Sequence, residues 1–80
     1  MSKISLLIIN GKNANNGALR KAVYQLRNEG FNLQVRVTWE SSDIRRFVQE
    51  AINMNAETVI AAGGDGTINS VASELIHLSP

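Results

Sequence analysis

Nine residues, Ala61-Ala62-Gly63-Gly64-Asp65-Gly66-Thr67-Ile68-Asn69, join an apolar run to a helical pattern through three glycines and an aspartate. Glycine has no Cβ, so main-chain N–H groups in such a loop can approach a bulky ligand closely. The helix is predicted to begin near Thr67, where unpaired N–H groups and the positive end of the helix dipole face the same space. The stretch therefore predicts an anion site, and phosphate is its natural ligand. The alternative is a tight strand-to-helix turn in which Asp65 or Thr67 caps the helix.

The composition is that of one small globular domain or of a piece of one, with 80 residues, 44% hydrophobic residues and a net charge of +1. The chain has no cysteine, which excludes disulfides and thiolate zinc sites and fits a reducing cytoplasm. Its eight Lys and Arg residues are scattered, so we expect no nucleic-acid partner. The apolar run at residues 4–9 is too short to span a bilayer. We therefore expect a soluble, cytoplasmic domain whose stability alone is marginal.

The chain before the glycines alternates between strand and helix patterns. A continuous apolar run at residues 5–9 predicts a strand buried on both faces. Apolar residues at helical spacing predict a helix at residues 18–29, with Gly30 as its left-handed C′ residue. Alternation at residues 31–38 predicts a strand near a sheet edge. A second helix is predicted after the cap cluster Ser41-Ser42-Asp43.

Apolar stripes predict which helix faces are buried. The second helix carries a stripe at helical spacing, formed by Ile44, Phe47, Val48, Ala51 and Ile52. A third strand is predicted at residues 57–62, in the interior of the sheet, and the buried face of the third helix is predicted to be Val71, Ala72, Leu75 and Ile76. The order β-α-β-α-β-α predicts an α/β fold, a parallel sheet with helices on both faces.

Ligands of such sheets bind beyond the carboxyl ends of the strands. The segments Asn10-Gly11, Thr38-Trp39 and residues 63–67 should therefore meet in one crevice. Lys12 lies near enough to that crevice to be a phosphate candidate. Trp39 either walls an adenine site or is a partly buried surface aromatic. His77 is expected in the last helical turn, where the dipole favours a cation.

The string Gly-Gly-Asp-Gly-Thr-x-Asn at residues 63–69 resembles the signature of diacylglycerol kinase-like lipid kinases, NAD kinases and, with serine for threonine, 6-phosphofructokinases. The continuation Asn69-Ser70-Val71 looks like the lipid kinase version. Together with residues 6–10 and 35–40, it makes the whole chain similar to the N-terminus of YegS-type bacterial lipid kinases. Ser70 departs from the usual Glu of that family, so a capping box between Thr67 and position 70 lacks its carboxylate.

The resemblance implies an ATP-dependent lipid kinase that transfers the γ-phosphoryl group to a lipid hydroxyl of the diacylglycerol or phosphatidylglycerol class, with Mg²⁺. Residues 1–80 are then the N-terminal part of a diacylglycerol kinase/NAD kinase/phosphofructokinase-like nucleotide-binding domain, and this segment alone is expected to be inactive. A lipid substrate implies transient membrane contact. The alternatives are an NAD kinase and a non-catalytic nucleotide-binding module.

The resemblance also assigns residues. The implied ATP contacts are Thr38, Gly64, Asp65, Gly66, Thr67, Ile68, Asn69 and Ser70. Asp65 is also the candidate catalytic residue, acting through Mg²⁺ or by orienting the ribose or the acceptor hydroxyl. The metal ligands and the principal catalytic carboxylate are expected beyond Pro80.

Overall fold

The computed structural model describes residues 3–40 and 42–78, and the side chains of Asp65, His77 and Leu78 lie outside this description. The elements in chain order are β1 (Ile4–Asn10), a 3₁₀ turn (Gly11–Asn13), α1 (Gly17–Asn28), β2 (Asn32–Thr38), α2 (Ser42–Asn53), β3 (Thr58–Ala62) and α3 (Asp65–Leu78). The three strands form a parallel sheet in the order β2-β1-β3. The predicted α/β fold is therefore confirmed.

The central strand β1 separates two apolar cores. Leu6 and Ile8 are fully buried on one face, where they pack with α2 and with Val71 of α3. Leu7 and Ile9 are buried on the other face, where they pack with Val23 of α1. Burying each such side chain contributes about 1.5–3 kcal/mol. Helices thus cover both faces of the sheet, as the continuous apolar pattern of β1 predicts.

Local capping explains where α1 begins and ends. The side-chain oxygen of Asn16 accepts a hydrogen bond from the N–H of Leu19 at 3.1 Å. At the other end Gly30 has a φ of +98°, which favours glycine, and its N–H donates to the Arg27 carbonyl. The N–H of Phe31 donates to the Leu26 carbonyl, which completes a Schellman motif. The prediction of Gly30 as the left-handed C′ residue is confirmed.

The buried face of α2 follows its stripe, and the helix begins inside the predicted cap cluster, at Ser42. Phe47 and Val48 are buried, as are Ile44 and Ala51, and Ile52 is partly buried. Asp43 does not cap the helix from outside, because it lies in the first turn and its carboxylate accepts the N–H groups of the preceding loop. Ser41 of the predicted cap cluster lies outside the described residues.

Two predictions for the last elements are wrong. β3 is an edge strand among the described residues, not an interior one, and Ile60 is 40% exposed. The predicted buried face of α3 is too wide, because α3 packs mainly against α2 and β3. Val71 is buried and Leu75 is half-buried, but Ala72 and Ile76 are exposed. None of the described helices is long and apolar enough to cross a bilayer.

Candidate functional site

The carboxyl ends of the three strands meet at one open cavity of about 960 Å³. Asn10 at the end of β1 pairs in register with Thr38 at the end of β2, and Ile9 pairs with Ala62 at the end of β3. The cavity lies between the turn after β1, the end of β2 and residues 63–67, here called the glycine loop. The predicted meeting of three segments is confirmed, and the volume is typical of a small-molecule site.

Gly63 opens the glycine loop in a conformation that only glycine fits. Its φ is +155°, and a Cβ there would lie 2.9 Å from the Asn10 Cβ and 3.1 Å from the Thr67 Oγ1. Gly64 and Gly66 differ, since a Cβ at either position would meet no atom within 4 Å. The first glycine is therefore needed for packing, and the other two leave space beside the backbone.

The start of α3 leaves the amide groups of Gly64 and Gly66 open. The Gly64 carbonyl accepts the N–H groups of Thr67 at 3.0 Å and Ile68 at 3.2 Å, which begins the helical ladder. The N–H groups of Gly64 and Gly66 donate to no residue in the described part of the chain. Both residues line the cavity, at the positive end of the α3 dipole. This is the arrangement that binds anions at helix N-termini.

The helix begins two residues earlier than predicted, and this changes the role of Thr67. Thr67 lies inside the first turn of α3, so it is not the N-cap residue and a capping box with Ser70 does not apply. Its N–H is occupied by the Gly64 carbonyl, so an N–H contact from Thr67 to phosphate is also not available. The group that Thr67 can still offer to a ligand is its hydroxyl. The residue lines the cavity and is only 7% exposed.

Asn10 ties the glycine loop to the end of β1. Its Nδ2 donates to the Thr67 Oγ1 at 2.9 Å, and its Oδ1 accepts the Lys12 N–H at 2.9 Å, which caps the 3₁₀ turn. Sequence reasoning placed Asn10 in the crevice but gave it no role. The contact joins residues 57 positions apart, so no local pattern reveals it.

Thr38 offers a second hydroxyl group to the cavity. The residue is 7% exposed, it lines the cavity, and its hydroxyl has no hydrogen-bond partner among residues 3–40 and 42–78. A Cβ on Gly11 would lie 2.5 Å from the Thr38 carbonyl oxygen, so the turn after β1 passes directly against the end of β2. No buried side-chain oxygen or nitrogen lacks a partner in the described residues, so the Thr38 hydroxyl is open to the cavity, where water or a ligand can complete its hydrogen bonding.

Charged side chains at the cavity are few. Lys12 lines it and forms no ion pair with any described residue, so its ammonium group is available to an anion. Glu40 also lines the cavity, and the described side chains contain no cluster of three or more His, Asp or Glu residues. Trp39 stands at the same cavity and is 92% exposed, so the interpretation as a partly buried aromatic is wrong.

Asp43 fixes the backbone of this wall of the cavity. Its Oδ2 accepts the N–H groups of Trp39 at 2.8 Å and Glu40 at 3.0 Å. These two hydrogen bonds, in that order, lower the pKa of Asp43, and the nearby Arg46 lowers it further. The ionised carboxylate therefore stabilises the loop between β2 and α2.

The structure brings together most of the predicted ATP contacts, but not all of them. Those that line the cavity are Thr38, Gly64, Gly66, Thr67 and Ser70. Ile68 is 46% exposed and Asn69 is exposed, and neither is among the lining residues. The Asn69 side chain also makes no hydrogen bond within the described ranges, so it does not brace the loop there. Asp65 and His77 both lie in α3, and their side chains are not among those that the structure describes.

Comparison with known proteins shows the family of the chain. Residues 5–80 match the model of the diacylglycerol kinase catalytic domain. The chain belongs to this family. A probable YegS-like lipid kinase of Klebsiella pneumoniae is 61% identical over 73 residues, covering 91% of this chain and 25% of the relative. A similarly named protein of Pectobacterium atrosepticum is 58% identical over 72 residues, covering 90% of this chain and 24% of the relative.

A probable lipid kinase YegS of Salmonella arizonae is 57% identical over 74 residues, covering 92% of this chain and 25% of the relative. This diacylglycerol kinase family chain thus spans about a quarter of the length of the curated relatives it matches. The predicted membership in the diacylglycerol kinase-like lipid kinase family is confirmed.

Proposed function

We propose that the cavity binds ATP and that the protein carrying this chain is a lipid kinase. The observation that supports this most is the pair of open amides of Gly64 and Gly66 at the N-terminus of α3. Two threonine residues that are each 7% exposed, Thr38 and Thr67, line the same space. Together they form a set of neutral donors suited to the oxygens of a polyphosphate.

Within the proposal each residue has a distinct task. Gly64 and Gly66 donate backbone N–H groups to phosphate oxygens, and Thr67 donates its hydroxyl hydrogen. Thr38 donates from the opposite wall, and the Lys12 ammonium group adds positive charge. Ser70 lines the cavity from the next turn of α3. Ile68 and Asn69 remain predicted ATP contacts, although neither lines the cavity.

The proposed reaction is transfer of the γ-phosphoryl group of ATP to a hydroxyl of a lipid of the diacylglycerol or phosphatidylglycerol class. The new bond joins the γ-phosphorus to the acceptor oxygen, the bond from the γ-phosphorus to the bridging oxygen breaks, and ADP leaves. The proton of the acceptor hydroxyl passes to a catalytic base in the remainder of the enzyme. Such transfer depends on positioning and charge neutralisation more than on covalent catalysis by the protein. The open N–H groups of Gly64 and Gly66 at the N-terminus of α3 supply that positioning.

Backbone N–H donors do not bind a metal, so Mg²⁺ would be held here by a carboxylate together with the substrate phosphates, as is common for this ion. Asp65 is the residue proposed to contact it, since its backbone lies between the open amides of Gly64 and Gly66. When bound, the ion neutralises charge on the phosphates. Repulsion between Asp65 and the phosphates is then relieved, which allows a carboxylate in this position.

The chain is proposed to be the N-terminal, nucleotide-binding part of a longer enzyme, inactive on its own. Its coverage of a quarter of its relatives supports this, since the catalytic base and further metal ligands then lie in the remainder. We propose a cytoplasmic enzyme, in keeping with ATP as the donor and with a chain free of cysteine. A lipid acceptor requires transient contact with a membrane surface.

The test uses the full-length protein with radiolabelled ATP, offered a lipid extract or NAD. The proposal expects label in the lipid fraction only. Phosphorylated NAD would instead identify an NAD kinase, and ATP binding with no labelled product would indicate a non-catalytic nucleotide-binding module.

A variant pair tests the role of Asp65. Asp65→Asn should lower lipid kinase turnover at least about a hundredfold with an unchanged circular dichroism spectrum, because the carboxylate acts on the bound phosphates. Glu57→Gln is the matched control, since Glu57 is exposed and pairs with Lys3 away from the cavity. Equal turnover of the two variants would reject the assignment of Asp65.

A further inference from the structure

Asn10 uses both ends of its side-chain amide, and the two partners fix its orientation. The Oδ1 atom accepts the Lys12 backbone N–H at 2.9 Å, and that N–H can only donate. The Nδ2 atom, 2.9 Å from the Thr67 Oγ1, is therefore the donor in the second contact. The side chain is also packed against the glycine loop, because its Cβ lies where a Cβ on Gly63 would be only 2.9 Å away.

This contact determines what the Thr67 hydroxyl can do. The oxygen accepts from Asn10, so one lone pair is occupied and its own hydrogen must point elsewhere. That hydrogen has no acceptor within the described part of the chain, and the Thr67 N–H is already bonded to the Gly64 carbonyl. Because Thr67 lines the cavity, its hydroxyl hydrogen is the donor that it can offer to a ligand.

We propose that Asn10 is a positioning residue of the nucleotide site, which acts through the Thr67 hydroxyl. By donating to the Thr67 Oγ1, Asn10 keeps the hydroxyl hydrogen directed at a phosphate oxygen of the ligand. The inference rests on the proposed ATP binding and adds a residue outside the glycine loop to it. Asn10 itself touches no phosphate in this account.

The substitution Asn10→Ser separates the two contacts of Asn10. Serine is as good a cap as asparagine, so its hydroxyl can still accept the Lys12 N–H. It is one atom shorter and has no amide, so it does not reach Thr67. The matched control is Asn16→Ser, because Asn16 caps α1 through its oxygen alone and lies outside the cavity lining.

The experiment measures ATP and adenosine binding by isothermal titration calorimetry in the full-length protein. Asn10→Ser and Thr67→Val should each weaken ATP binding about tenfold, since a hydrogen bond to a charged oxygen is among the stronger ones. The double variant should also lose about tenfold rather than a hundredfold, because both changes remove the same donor. Adenosine, which has no phosphate, should bind all variants equally, and Asn16→Ser should bind ATP as the wild type does.

Several results would overturn the inference. A multiplied loss in the double variant would mean that Asn10 acts independently of Thr67, and an equal loss for adenosine would mean that Asn10 only supports the fold. Wild-type affinity for ATP in Asn10→Ser would reject this inference alone, whereas a wild-type protein that binds no ATP would reject the proposed function with it. If Asn10→Ser does not fold, as judged by circular dichroism, the Thr67→Val arm decides: unchanged ATP affinity in that variant refutes the inference.

Discussion

Replacing Gly63 by alanine places a methyl group at the most crowded point of the glycine loop. The added Cβ would lie 2.9 Å from the Asn10 Cβ and 3.1 Å from both the Cβ and the Oγ1 of Thr67. None of these atoms is the free end of a flexible side chain, because Asn10 and Thr67 are joined by a hydrogen bond. The loop must therefore shift to accept the change.

The magnitude follows from two terms. Overpacking of a well-packed site typically costs about 1–3 kcal/mol. Holding a residue with a Cβ in a sparsely populated backbone region, here a φ of +155°, costs about 1–3 kcal/mol more. The expected loss in the free energy of unfolding is therefore about 2–6 kcal/mol, a large share of the 5–15 kcal/mol typical of a folded protein.

Urea denaturation followed by circular dichroism measures this loss, with Gly66→Ala as the matched control. A Cβ on Gly66 meets no atom within 4 Å and lies in the first turn of α3, so that variant should be as stable as the wild type or slightly more stable. Equal unfolding free energies for the Gly63→Ala and Gly66→Ala variants would refute the packing argument.

Three further predictions concern stability. Gly17→Ala should stabilise the protein by about 0.4–1 kcal/mol in urea denaturation, because a Cβ in this first turn of α1 meets no atom within 4 Å; a loss of stability would contradict this. Val48→Ala should lower the unfolding free energy by about 2 kcal/mol, since Val48 is 0% exposed. A change below about 0.5 kcal/mol would contradict this, because it would mean that neighbouring core side chains fill the space left by the two methyl groups. Asp43→Asn tests the lowered pKa of Asp43: the stabilisation from its ionised form is present above the unfolded-state pKa of about 4 and is lost as pH falls through the lower folded-state value. The stability difference between wild type and Asp43→Asn should therefore shrink when unfolding is measured at pH 3 instead of pH 7, and a constant difference would contradict the assignment.

Features that depend on neighbours in sequence could be predicted. The continuous apolar run of β1, the stripe of α2 and the glycine that ends α1 each report a local requirement, and the structure confirms all three. The glycine loop is of this kind as well, because an apolar strand followed by glycines and a helix leaves few other conformations. Local periodicity therefore predicted the fold class and the place of the cavity at the carboxyl ends of the strands.

Features that depend on distant packing could not be predicted. The apolar pattern of β3 is the same at an edge as in the interior, and only pairing decides between them. The exposure of Ala72 and Ile76 depends on how few elements contact α3, which its own pattern does not report. The bond between Asn10 and Thr67 arises because two strand ends meet in space.

The start of α3 was misplaced for a different reason. Threonine and aspartate are favoured caps, so the sequence favours Asp65 or Thr67 at the N-cap position. In the structure the Gly64 carbonyl begins the ladder instead, and the helix starts at Asp65. Moving the start by two residues leaves the amides of Gly64 and Gly66, rather than that of Thr67, open to the cavity.

The proposed function requires the Gly64 and Gly66 amides to bind the phosphates of a nucleotide. Nuclear magnetic resonance of the full-length protein labelled with ¹⁵N-glycine observes these amides directly during titration with ATP and, separately, with adenosine. We expect ATP to shift the Gly64 and Gly66 resonances and adenosine to leave them unchanged. Gly17 and Gly30, which lie outside the cavity lining, should respond to neither ligand. Binding of ATP that leaves both the Gly64 and the Gly66 resonances in place would contradict it.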